Sequence, residues 1–371
     1  MPIGLLGAEV WRIWTTFKTW PMTTPTESFS PESWEYARGY AGVFGTVPSS
    51  FTSVIRSLMG EHTAGLPQTT GNNKYFVLRL LKSPSLLAPL YFASEVYNPS
   101  VLVKGGVTPP DQLIKGFTPF ELACLLGLVY IVRKAQGLVD AEELNYIIDP
   151  MIPDANVAFA MGRTITAVGV GTALIEATII PLAVCAFAKH DLKGFKEYRR
   201  EVAKVHGGKW NIDLELKRWG CNHVQIASVL MQTLGFGITR SNAFVNAMSS
   251  KSELGTLDEV NLARDFRMAA IWREAIMTTF KAPVVPLPPK YYPTKAAQDN
   301  AVAMIKGVLG DTDASRWLLK GKDDLPSYQI AGPREVATTG GTDASPLPQG
   351  GEAELDALTA EMDQLVAESS E

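Results

Sequence analysis

The sequence predicts an all-α protein, and three observations predict it. Apolar residues recur at helical spacing from about residue 51 to 280. Cap residues and prolines stand where helices would start or stop. No sustained alternation of apolar and polar residues is bounded by hairpin turns. Together these imply a multi-helix bundle flanked by an irregular N-terminal arm and a C-terminal tail.

The elements follow in order. Val10, Ile13, Trp14 and Phe17 have the spacing of a short amphipathic helix, without the basic start, long apolar run and cleavage site of a secretory signal. Residues 21–50 are rich in Thr, Ser and Pro around Trp34, Tyr36 and Tyr40, and read as an arm with room for one short helix. Val54, Ile55, Leu58 and Met59 share one helical face, and residues 75–81 repeat the pattern. Ser83-Pro84 opens a helix that Asn98-Pro99 ends, and Thr118-Pro119-Phe120-Glu121 opens an apolar helix closed by Gly137. Asp140 caps the next. Pro150 and Pro153 are expected to break the chain, with Asp154 capping a new helix to about Val168. Helices at 194–205, 211–219, 222–234, 241–248 and 256–280 complete the core.

Residues 281–293 are proline-rich and read as a linker or wrapping strap, followed by short helices at 294–308 and 314–319. Residues 332–351 lack apolar anchors and are expected to be disordered. Leu355, Leu358, Met362 and Leu365 then form one seam of an acidic helix, expected to order only against a partner surface, with docking on the net-positive remainder of the same chain as the rival reading. The chain thus divides into an arm (1–50), a helical domain (51–280), a strap with short helices (281–331) and a linker with an acidic helix (332–371).

Composition narrows the function classes. Hydrophobic residues make up 46% of the 371 and charged residues 19%, enough for a sizeable core. With 34 basic against 38 acidic residues, no whole-chain excess points to nucleic acid. The charge is uneven: nine acids and no Lys or Arg lie in 335–371, so residues 1–334 carry a net +5. The basic residues of 189–217 alternate with acids and read as a solvated mixed-charge face. Cys124, Cys185 and Cys221 lie far apart in apolar or helical settings, without disulfide or zinc spacing, which fits a reducing, cytoplasmic compartment. Residues 168–188 match a membrane span in length, but Gly169, Gly171, Pro181 and the central Glu176 favour a buried pair of core helices. There is no GxSxG elbow or phosphate-binding glycine loop.

Two stretches carry a resemblance: SPSLLAPLYFASEVYNPS with PPDQLIKGFTPFELACLLGLVYIVRKA, and FKEYRREVAKVHGGKWNIDLELKRWGCNHVQIASVLMQTLGFG. Together they resemble the HDOD domain, a helical and usually non-catalytic relative of HD phosphohydrolases found in bacterial signalling proteins. His223-Val224, Ile226-Ala227, Leu230 and Leu234-Gly235 fit the family's later His-led helix, while its tryptophan and proline are missing near Thr233 and Gly237. The resemblance spans about residues 55–280.

The resemblance also implies where a metal site would lie. Catalytic HD domains hold their ion with several His and Asp ligands. This chain has four histidines. The family's His-Asp position falls on the apolar Leu182, Ala183 and Val184, and Ser249-Ser250 stand where a His pair is expected. The remaining degenerate candidates are His223, Asp265, His190 and Asp191. Their bland readings are a helix-bonding histidine, a surface ion pair, a helix-end histidine and an N-cap. The expectation is therefore a non-catalytic regulatory or scaffold protein with protein partners, no catalytic residue, no cofactor and no metal. Nucleic-acid binding and membrane association are not favoured, and the seam helix leaves homo-oligomerisation open. The alternative is a metal-dependent phosphohydrolase built on those four residues.

Overall fold

A computed structural model describes residues 29–206, 208–249, 262–331 and 351–368. It is all-helical, with no strand among the described residues. The longer helices are α1 (Pro31–Ala41), α2 (Ser49–Thr63), α3 (Gly71–Leu80), α4 (Pro84–Tyr97), α5 (Pro119–Gln136), α6 (Ala141–Thr164) and α7 (Val170–His190). They continue as α8 (Leu192–Val205), α9 (Ile212–Trp219), α10 (His223–Leu234), α11 (Ile238–Ser249), α12 (Leu262–Thr279), α13 (Lys295–Gly310) and α14 (Gly351–Glu368). The helix expected near residue 10, the start of the one expected at 256 and the segment 332–350 lie outside the described residues.

Helix α7 is the axis of the bundle. Helices α1, α5, α6, α8, α10 and α12 all pack on it. It is apolar all round because it is covered all round: from Val170 to Ala188, Ile180 and Pro181 alone are not fully buried. It is also long and apolar enough to cross a membrane by length and composition. Instead of the expected pair of helices it forms one, kept through Pro181. Its start needs glycine twice. Gly169 precedes it at φ +73°, and a Cβ on Gly171 would sit 2.7 Å from the Phe120 ring. Gly162 on α6 faces the same junction, where a Cβ would lie 2.6 Å from Val170 Cα, so α6 and α7 touch backbone to backbone.

The expected break at Pro150 and Pro153 does not occur, because α6 runs through both. Asp149 and Pro150 are exposed and Pro153 is half-buried. On that side, carbonyls left without a donor can turn towards water, so the helix continues through both prolines. Glu176, the one charge in the apolar stretch, is resolved by α12. Arg273 donates from Nε and Nη2 to its two oxygens at 2.8 and 2.7 Å, and from Nη1 to Asp154 Oδ2 at 2.8 Å.

The arm region contributes to the core: α1 packs on α7 and α10, and Ala37 is fully buried. The proline-rich segment wraps: Leu287 and Tyr291 are buried, and the Tyr291 hydroxyl donates to Asp265 Oδ1 at 2.8 Å. Beyond α13, a single helical turn and a 3-10 turn bring the fully buried Trp317 against Tyr97 and Phe159.

The C-terminal helix corrects an expectation. The groove for its seam lies on the chain itself, where α2, α3, α4 and α5 meet it. Leu355, Leu358 and Met362 are buried there, spaced along one face of α14. The rival reading, docking on the chain itself, is the one the structure shows, and the residues that complement the helix lie far from it in the sequence.

Candidate functional site

The candidate residues cluster unevenly around the α7–α8–α9–α10 corner. Helix α9 is short and is capped by Asn211, whose side chain accepts from Leu214 N at 2.9 Å, and it is closed by Gly220 in the left-handed region. That glycine turns the chain into Asn222, which caps α10 in a reciprocal capping box with Gln225. The tight connection brings the first residue of α10, His223, against the first turn of α9.

There the fully buried Glu215 waits. Its Oε2 accepts from His223 N at 2.8 Å and lies 2.7 Å from His223 Nδ1. Its Oε1 accepts from the Tyr198 hydroxyl on α8, and that hydroxyl accepts from Asn211 N at 2.8 Å. A carboxylate at a helix N-terminus is favoured by the helix dipole, and three donors offset its burial. Burial, and then the Glu215 charge, push the Tyr198 hydroxyl far above its ordinary value, so it remains a donor. An aromatic stack seals the network: Phe187 and Trp219 lie face to face at 4.1 Å, and Trp219 meets Tyr198 edge-on at 5.1 Å.

Asp191 joins the edge of this cluster as an N-cap. Its Oδ1 accepts from Gly194 N at 2.8 Å and its Oδ2 from Trp219 Nε1 at 3.2 Å. His190 is exposed and packs edge-on against Tyr40 at 4.6 Å. It lines an open cleft of about 480 Å³ with Glu32, Glu35, Tyr36, Gly39 and Tyr40. Burial holds the Tyr40 phenol at about 12. Asp265 lies on α12 and is occupied by Tyr291 of the wrapping strap. Burial raises its carboxyl above the ordinary value. It is therefore no surface ion pair.

The structure thus places the four candidates in different partnerships. His223 goes with Glu215, Asp191 with Gly194 and Trp219, His190 with Tyr40, and Asp265 with Tyr291. No group of three or more His, Cys, Asp or Glu able to hold a metal ion occurs among the described residues. Sequence reading missed Glu215, which looks like one more acid in an alternating-charge helix. The signal that could have found it is the capped helix eight residues later whose first residue is histidine.

The nucleophiles near this corner are not activated. Burial, and then the Glu215 charge, push the Cys221 thiol up to about 12, and burial does the same to Cys185. A thiol in that range is not a thiolate at neutral pH. Three of the basic residues nearby are answered by acids: Arg218 pairs with Glu197 at 3.2 Å and Glu201 at 3.6 Å, and Lys196 and Arg199 pair with the buried Glu143 at 3.3 and 3.6 Å.

No protein-family model matches this chain, and comparison with curated proteins and with solved structures finds no significant match.

Proposed function

We propose that this chain is a non-catalytic helical scaffold or regulatory module of the HDOD-like kind, acting through protein–protein contacts in bacterial signal transduction in the cytoplasm. One observation supports the non-catalytic part: both oxygens of Asp191, Oδ1 of Asp265 and the His223 Nδ1–Glu215 contact are used by the fold itself. A carboxylate that caps a helix or receives a buried hydroxyl is a poor metal ligand, because recruiting it would leave its former donor unpaired. The regulatory part rests on the resemblance of the two quoted stretches.

The test is a hydrolysis assay on the full chain with Mg²⁺ or Mn²⁺ and a panel of nucleotides and phosphodiesters, run beside His223→Gln and Asp265→Asn. The expected result is no metal-dependent turnover in any of the three. Turnover by the wild-type chain that either substitution abolishes, with helical content intact, would overturn the proposal in favour of a phosphohydrolase.

A further inference from the structure

Helix α14 reads its groove through four charged or capping contacts besides its apolar seam. Glu354 accepts from Ser49 N and Ser50 N, both at 2.9 Å, and from Ser49 Oγ at 3.0 Å, so it caps α2. Asp363 accepts from Ser83 Oγ at 2.6 Å and Ser85 N at 3.1 Å, so it caps α4. Neither helix caps itself: the N-cap residue of α2 is Pro48, and that of α4 is Ser83, whose side chain makes no cap bond. Arg79 on α3 pairs with Glu352 at 2.5 Å and Asp356 at 2.6 Å, and Lys134 on α5 pairs with Glu361. The groove therefore presents two uncapped helix N-termini and two largely covered cations, and it fits an acidic helix with carboxylates at set positions.

The same helix is joined to the rest of the described chain through residues 332–350. Nineteen residues can span at most about 65 Å. A globular chain of this length has a radius of gyration of roughly 21 Å. The connection is long enough for α14 to reach the same groove on an adjacent molecule.

We propose that this groove is an interaction surface for the acidic helix of a second copy, so that two chains link by exchanging α14. Contacts in the exchanged pair are those within one chain, so only the tether distinguishes the two arrangements. A tether of this length gives the helix an effective concentration on the order of mM at its own groove. Exchange in the wild-type chain therefore rises as its concentration approaches that value, or where another contact holds two copies together. This inference stands on the groove alone and does not rest on the non-catalytic reading.

A charge-swap pair of full-length chains tests it. The first carries Arg79→Glu, and the second carries Glu352→Arg with Asp356→Arg. In each alone, the Arg79 contact is repulsive both within the chain and between identical copies. Mixed, each helix finds a complementary groove on the other chain. Light scattering should give the 40.3 kDa monomer mass for each variant alone and twice that for the 1:1 mixture at micromolar concentration. That is about 1000-fold below the millimolar tether threshold. A third chain carrying all three substitutions guards against misfolding, since it should recover the wild-type mass and melting temperature. A mixture that stays at the single-chain mass while the third chain folds normally would overturn the exchange. A third chain that fails to recover would refute the Arg79 pairing on which it depends.

Discussion

Helices α7 and α14 are both buried, in opposite ways. Helix α7 is apolar on every face up to its exposed last residues, is packed by six other helices, and holds a single buried charge, Glu176, answered by a two-point pair from Arg273. Helix α14 buries one narrow seam and keeps its acids at the rim, where they serve as caps and ion pairs for neighbouring helices. The difference teaches what each helix can do alone. Removing α7 would empty the centre of the bundle, because six other helices pack on it. Releasing α14 uncovers one groove and two helix N-termini. Its contacts are also electrostatic to a degree that those of α7 are not, so pH and salt act on the two helices differently.

The largest effects should come from the axis. Glu176→Gln takes the bidentate partner from Arg273, which is a quarter exposed and keeps Asp154, and should cost about 2–3 kcal/mol by denaturant unfolding. Asp154→Asn, on the same guanidinium, should be close to neutral or stabilising at pH 7. Burial, only partly offset by Arg273, lifts the Asp154 carboxyl to about 6, so its ionised form is already disfavoured in the folded chain. Equal losses in the two variants would show that the guanidinium does not distinguish them. Gly162→Ala should also destabilise α6–α7 packing by at least 1–3 kcal/mol, because the added carbon meets backbone that cannot swing aside.

An intermediate effect is expected at the α9–α10 corner. His223→Ala removes one donor from the fully buried Glu215 and should cost about 1–3 kcal/mol. The melting temperature should fall without any change in response to added metal. A variant as stable as the wild type would mean that the ring is not holding that carboxylate.

The smallest effects belong to α14, and pH gives them a sign. Hydrogen bonds from Arg79 hold Asp356 below its ordinary value; at Glu354, burial acts upward but bonds from Ser50 and Ser49 outweigh it. Groups lowered in the folded state stabilise docking above their unfolded values, near about 4, and that contribution is lost as pH falls through the lower folded values. Asp154 acts the other way. Its raised carboxyl makes the folded core gain stability as pH falls from about 6 towards its unfolded value. Between pH 7 and 4 the core should therefore hold or gain stability, while below about pH 4 the amides of α14 lose protection. Parallel loss in both regions would contradict the assignment of these charges.

Much of this contrast was legible in the order of residues, and the reasons for the rest are physical. The all-α class, the caps at Asn222 and Thr118, and the burial of the 168–188 stretch follow from local rules that hold wherever the helix packs. The continuity of α6 through Pro150 and Pro153 was not legible, because it depends on which side of the helix faces water. The seam of α14 was visible as a period, but its groove was not. Pro48 and Ser83 show an uncapped helix start only when the structure reveals what reaches them, from more than 250 positions away. Glu215 was hidden for the same reason: its partners His223 and Tyr198 lie on two other helices.

Native-state hydrogen exchange on the full chain tests the separability of α14 most directly. Its amides should exchange through a local opening whose free energy is well below that of global unfolding, while those of α7 should exchange only at the global limit. Leu358→Ala should speed exchange in α14 and leave α7 unchanged. If α14 and α7 instead share one limiting free energy, and Leu358→Ala lowers both together, the C-terminal helix is an inseparable part of the core and not a docked, releasable element.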